Sequence, residues 1–331
     1  MRRAALRRFT TPGEGIPGVR EIASRSGLVI GLLPNGGLFA IEHRHKRGRT
    51  RVSLVEGSPL EGGIARLCLR VRATEPGLAL AAGANANLRI GAADDRFVWQ
   101  GATGGVRHEV SLWLHPRRSL WLWRVEAVND GAAAVTCDAL LVQDVGLGER
   151  AFLMNNEAYA SHYIDHHVAR HAQCGPVVMS RQNLAQGGRH PWVAHGCIEG
   201  AAGFATDALQ LLGPAYRDTG ELDPGLDLPG SRLQHELACP MIQSTPATLE
   251  PGGRVCWTFF GLYEPDHPTA SSDADLAQID GVLPAADEFA ARKVRLGTPV
   301  RSLLQEAPPL VARPLAQAEI ADRYQIGRAH V

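Results

Sequence analysis

Between residues 26 and 265 the chain is a succession of short apolar or alternating runs, each stopped by a turn signal. GLVIGLL ends at Pro34-Asn35-Gly36-Gly37, LFAIEH follows, and ARLCLRVRA, RFVWQGA, HEVSLWLHP, LWLWRVEAV, CDALLVQDV and VCWTFFGLY come after it. In LWLWRVEAV, Trp121, Trp123, Val125 and Ala127 share one face while Leu122, Arg124 and Glu126 share the other, the period-two signature of a strand. Val128-Asn129-Asp130-Gly131 then closes it with turn residues. Many strands at short spacing, with a single helical pattern before residue 268, predict an all-β domain over 25–265: a large antiparallel two-sheet sandwich.

The pattern changes after Glu264-Pro265-Asp266-His267-Pro268. An N-cap candidate at Ser272, with Asp275 three residues on, opens a run of helix formers interrupted by Gly281 and Pro284. It predicts a helix pair or a broken helix leaving the sandwich, so that 266–325 reads as a helical linker and 1–24 as an N-terminal extension. The last six residues, IGRAHV (326–331), match the translation of a common sequencing adapter and are set apart from fold reasoning. The expectation is that the natural reading frame continues.

Four of the thirteen histidines crowd into NNEAYASHYIDHHVARH (155–171): His162, His166, His167 and His171. On a helix, 162/166 and 167/171 are i, i+4 pairs able to share a cation. Against that, Tyr159, Tyr163, Ile164 and Val168 are β-branched or aromatic and Gly175-Pro176 follows, which favours a strand, a turn and a second strand. The strand reading dissolves the pairs, and no distant third ligand is evident, so no metal is expected.

The formal net charge is zero, which removes any general electrostatic pull toward nucleic acid or an anionic membrane surface. Only Lys46 and Lys293 among the 34 basic residues are lysine, a codon bias rather than a chemistry. The six cysteines are scattered through apolar runs with no CxxC pair and read as small buried hydrophobes. Neither a signal-peptide core nor a membrane-length apolar segment is present, and a cytoplasmic protein is expected.

GSPLEGGIARLCLRV (57–71), QDVGLGE (143–149), NNEAYASHYIDHH (155–167), GPVVMSRQNLAQGGRHPWVAHGCIEGAAGFATDALQLLGPAYR (175–217) and FFGLYEPDHP (259–268) together resemble the N-terminal region of glycoside hydrolase family 94. Within that family the series is most similar to the β-1,2-oligoglucan phosphorylases and the phosphorylase-like part of cyclic β-1,2-glucan synthases. The resemblance implies a galactose-mutarotase-like sandwich, linker helices, and an (α/α) barrel that carries the general acid in a further part of the same polypeptide. It also implies a β-glucan oligosaccharide as ligand, inorganic phosphate as the parent enzyme's co-substrate, no other cofactor, and a homodimeric parent. In inverting phosphorolysis one carboxylic acid protonates the departing oxygen while phosphate attacks the anomeric carbon. Acid and phosphate pocket belong to the barrel, so no catalytic residue is assigned here.

Sugars are held by planar polar groups and by aromatic faces stacked on C–H surfaces. Within the resembling stretches this chemistry singles out Glu157, Tyr159, Tyr163 and Asp165, and the loop bearing Arg181, Gln182, Asn183, Gln186 and Trp192, where Gly187-Gly188 lets a backbone approach closely. The plain alternative is that Arg181 and Asn183 tie a loop to the sandwich and Trp192 packs a corner. A non-catalytic domain of a glucan phosphorylase is therefore the leading expectation. A complete mutarotase-like epimerase, using His195 with Glu199 or His235 with Glu236, is one alternative. A free-standing carbohydrate-binding module, which needs an exposed aromatic platform rather than buried Trp121 and Trp123, is the other.

Overall fold

The computed structural model describes residues 18–72, 77–213, 216, 222–223, 225, 227–234, 237–301 and 315–324. Its strands are β1 (Arg20–Ala23), β2 (Leu28–Leu32), β3 (Leu38–His45), β4 (Gly48–Arg51), β5 (Arg66–Arg72), β6 (Gly77–Ala82), β7 (Arg89–Ala92), β8 (Arg96–Thr103), β9 (Val106–Leu114), β10 (Leu120–Asn129), β11 (Val135–Val142), β12 (Gly148–Glu149), β13 (Ile164–His171), β14 (Gly175–Gln182), β15 (Trp192–Cys197), β16 (Ala201–Asp207), β17 (Ala238–Ser244), β18 (Ala247–Leu249), β19 (Arg254–Glu264) and β20 (Leu296–Gly297). Short helices α1 (Arg150–Asn155) and α2 (Glu157–Ala160) precede β13, α3 (Leu276–Asp280) and α4 (Val282–Ala286) follow β19, and α5 spans Gln317–Tyr324.

Every strand pairing among the described residues is antiparallel. A nine-stranded sheet runs β13-β14-β15-β19-β10-β9-β8-β7-β20, a six-stranded sheet runs β16-β17-β11-β5-β6 with β18 beside β11, and a five-stranded sheet runs β1-β2-β3-β4-β12. The main core is a single cluster drawn from all three: Ile30 and Ile41 from the small sheet, Leu69 and Leu141 from the six-stranded one, Trp123 and Phe259 from the nine-stranded one. This is the all-β sandwich that the alternating runs predict. Two strands, β1 and β20, lie outside the 25–265 span read from the pattern.

The predicted face of β10 points inward: Trp121, Trp123, Val125 and Ala127 all join the main core, and Trp99 stacks on Trp123 with ring centroids 5.6 Å apart. The opposite face is not solvated at its start, because Leu120 and Leu122 belong to a second cluster with Trp113, Val177, Met179, Trp192, Phe260, Ile279, Val282 and Ala285. Helices α3 and α4 thus cover the outer face of the nine-stranded sheet. The predicted break falls at Gly281, whereas Pro284 sits inside the first turn of α4, where a missing N–H costs nothing. Within this segment Ile279 and Val282 are buried against the sheet, and Leu296 pairs with β7.

The resembling motifs have local structural duties. Asp144 of QDVGLGE is buried, and its Oδ2 accepts from the backbone N–H groups of Leu54 at 2.9 Å and Val55 at 2.8 Å. Five of the six cysteines are buried and all six are free thiols, as small core hydrophobes should be. No helix among the described residues is long and apolar enough to cross a membrane.

Candidate functional site

The stretch 155–171 is part helix and part strand. Residues up to Tyr163 form α1, α2 and a 3-10 turn (Ser161–Tyr163), and the strand β13 begins at Ile164. Three of the four histidines have distinct duties. His166 points inward, is buried, and meets Ser180 Oγ through Nδ1 at 2.9 Å. His167 and His171 point outward, where their Nε2 atoms meet Asp273 Oδ1 at 2.8 Å and Asp280 Oδ1 at 3.1 Å. His162 is exposed at the edge of the Tyr159 ring. The cluster ties the helical segment to the sheet.

The nine sugar-contact candidates divide by exposure. Tyr159 (63%) and Tyr163 (42%) stand out from the surface, with Glu157 exposed beside them and Asp165 half-buried at the start of β13. Met154 (57%) and Leu184 (41%) are further exposed apolar residues, on α1 and on the loop after β14. The backbone N–H of Asn183 donates to Tyr163 O at 2.8 Å, so this loop lies against the 3-10 turn. Asn183 is itself exposed. Together these residues form a surface of two tyrosines, two carboxylates and an amide, side chains able to stack on and hydrogen-bond a sugar.

The other candidates are fastenings. Arg181 is buried and donates through Nε to His267 O at 2.7 Å, through Nη2 to Pro268 O at 3.1 Å and through Nη1 to Asn183 Oδ1 at 2.6 Å. Gln182 is fully buried and donates to Gly146 O at 3.2 Å, and Gln186 accepts from the Glu149 N–H at 3.1 Å. Trp192 is fully buried, donates to Ser271 Oγ at 3.0 Å and stacks on His267, ring centroids 5.3 Å apart and 13° from parallel. Gly187 and Gly188 have φ of 56° and 79° inside the Gln186–Arg189 bridge. The glycine pair is thus required by a tight hairpin turn, which accounts for it without a bound sugar.

The first epimerase pairing, His195 with Glu199, does not form. His195 is fully buried facing the main core, its ring in edge contact with Trp121 at 5.9 Å, and burial pushes its imidazole down to about 3. Glu199 is exposed past the end of β15, where its carboxylate accepts from Thr258 N–H at 2.6 Å and Thr258 Oγ1 at 2.9 Å. His235 and Glu236 lie outside the described residues. Trp121 and Trp123 are fully buried, so they offer no aromatic platform.

An antiparallel sandwich bearing an exposed surface of aromatic and carboxylate side chains is the class of protein that fold and surface define. A sequence profile of the family described as the SOGP N-terminal domain matches residues 31–261, and the chain belongs to that family. A 1,2-beta-oligoglucan phosphorylase of Listeria innocua serovar 6a is 33% identical over 184 residues, 55% of this chain and 16% of that relative's length. Among solved structures, a bacterial glucoamylase complexed with acarbose is similar with TM-score 0.44 and 10% identity, covering 82% of this chain and 36% of that one. A galactose mutarotase related enzyme from Lactobacillus acidophilus has TM-score 0.39 and 8% identity, covering 77% of this chain and all of that one. The relation to a glycoside phosphorylase rests on the sequence relative; the structural likenesses are too weak to add to it.

Proposed function

We propose that this chain is the N-terminal sandwich of a glycoside hydrolase family 94 phosphorylase acting on β-linked glucans, β-1,2-linked in particular. It contributes carbohydrate contact and scaffolding, and the general acid and the phosphate pocket lie elsewhere in the parent. The observation that carries the reading is the family match across 31–261 together with the phosphorylase relative. The exposed set Glu157, Tyr159, Tyr163, Asp165 and Asn183 supports it, having the stacking and hydrogen-bonding groups that a glucan needs. Arg181, Gln182, Gln186 and Trp192 contribute by holding the loop and the 267–271 stretch in place.

Purified chain titrated with β-1,2-linked gluco-oligosaccharides is the test. The expected result is saturable binding, with no glucose 1-phosphate formed from a β-1,2-glucan and inorganic phosphate. Formation of glucose 1-phosphate would overturn the non-catalytic part of the proposal, and absence of any binding would overturn the carbohydrate part.

A further inference from the structure

A cleft of ≈ 380 Å³ lies on the outer face of the nine-stranded sheet, apart from the tyrosine surface. Its sheet side is made by Arg124 of β10, Thr258 of β19, Gln173 in the β13–β14 turn, and Ile198 and Glu199 after β15. Its other wall is α4 and the residues just after it, with Leu283, Asp287 and Phe289. Such a volume lies within the range of small-molecule sites, about 300–1,000 Å³.

The walls are fixed from both sides. Val282 and Ala285 are buried in the sheet's outer cluster, and Arg118 holds the Gly281 carbonyl. Arg96 donates to the Ala290 carbonyl at 2.7 Å. Glu199 is oriented by its two bonds to Thr258, and a carboxylate has about four acceptor positions, so capacity remains for a ligand hydroxyl. The Arg124 guanidinium lies 5.2 Å from the centre of the Phe289 ring, which keeps it at the cleft rather than free in solvent. The opening therefore brings a guanidinium, two carboxylates and an amide around an apolar strip of Ile198, Leu283 and Phe289. An anion is disfavoured, because Glu199 and Asp287 outnumber Arg124, which also meets Glu126 at 3.2 Å. A neutral polyhydroxylated ligand satisfies donors and acceptors of both signs and covers the apolar strip with its C–H faces.

We infer that this cleft is a second carbohydrate site, taking a short neutral gluco-oligosaccharide, separate from the tyrosine surface. The inference rests on the proposed carbohydrate reading and adds a location to it.

The experiment uses the full chain carrying Tyr159→Ala and Tyr163→Ala, so that the tyrosine surface is silenced, and titrates β-1,2-glucotriose by NMR. The cleft predicts residual saturable binding, weakened at least tenfold by adding Glu199→Gln with Arg124→Met. Asp287→Asn alone, at an exposed position outside the packing, should weaken it severalfold and guards against misfolding of the double variant. If the tyrosine pair alone abolishes binding, the cleft is not a sugar site while the proposed function stands. If the cleft binds other neutral oligosaccharides but no β-glucan, the cleft is upheld and the proposed glucan specificity falls. Binding of inorganic phosphate in place of sugar, sensitive to Arg124→Met, would overturn the cleft assignment.

Discussion

His171 Nε2 meets Asp280 Oδ1 at 3.1 Å across the boundary between β13 and α3, and His167, four residues back on the same face of the strand, does the same with Asp273 at 2.8 Å. With Arg181 on the His267 and Pro268 carbonyls, and Trp192 stacked on His267, these contacts fasten the helical segment to the sheet. Both aspartates are largely exposed, so each contact is worth no more than about 1 kcal/mol. The double variant His167→Ala/His171→Ala is expected to raise the rate of limited proteolysis within 268–297 severalfold while leaving a β core intact. An unchanged cleavage rate would show that apolar burial by Ile279 and Val282 alone suffices.

Gly261 lies under the Trp121 indole. A Cβ placed there would stand 2.1 Å from both Cε2 and Cζ2 of that ring, and Trp121 is fully buried with no room to withdraw. Gly261→Ala should therefore cost about 3 kcal/mol or more, at the upper end of overpacking effects. Combining it with Trp121→Leu should recover part of that loss, which equilibrium denaturation of the two single variants and the double variant would reveal.

Three buried histidines set an acid limit. Burial lowers His195 to about 3, and His108 and His166 to about 4. Both ring nitrogens of His195 and of His108 lack a hydrogen-bond partner among the described residues, which leaves the charged form unsupported. Each folded-state value lies below the unfolded one near 6.5, so protons bind preferentially to the unfolded chain. Stability is full above about pH 6.5 and falls as the pH drops toward 4, by about 2 kcal/mol per histidine at pH 5. Denaturant midpoints at pH 7 and pH 5 should show a large fall, shallower in His108→Leu. A midpoint independent of pH in this window would contradict the buried, neutral assignment.

The two groups of sugar-contact candidates should separate experimentally. Tyr159→Ala and Tyr163→Ala, both at exposed positions, should leave the melting temperature within about a degree or two while weakening glucan binding. Arg181→Ala strands the buried His267 carbonyl and leaves a cavity where a buried guanidinium stood, and Trp192→Ala empties a fully buried volume, so each should cost about 3 kcal/mol in stability. Equal thermal effects in both groups would remove the division between surface and fastening.

Whereas the tight turn at Gly187-Gly188, expected to serve a sugar loop, came from the structure, the chain's own pattern determined the all-β sandwich, the two alternating faces of β10 and the helical break at Gly281. These are local matters: strand period, turn residues and helix formers act over a few positions, and the alternating runs express them directly. The sequence also marked the stretch 155–171 as unusual, and its strand portion was legible from the β-branched residues and the Gly-Pro turn. Only the tertiary structure decided what its polar residues do. His167 and His171 needed Asp273 and Asp280, more than a hundred positions away, to become fastenings. Arg181 and Trp192 look alike on paper whether they meet a sugar or the 267–271 backbone. Nothing in the sequence joined the cleft residues, since Arg124, Gln173, Glu199 and Asp287 come from four separate elements, and Glu199 was singled out only as a partner for His195. Nor could periodicity show that α3 and α4 return to the sheet: an amphipathic helix specifies that one face must be buried, and leaves the surface that buries it to the packing of the whole chain.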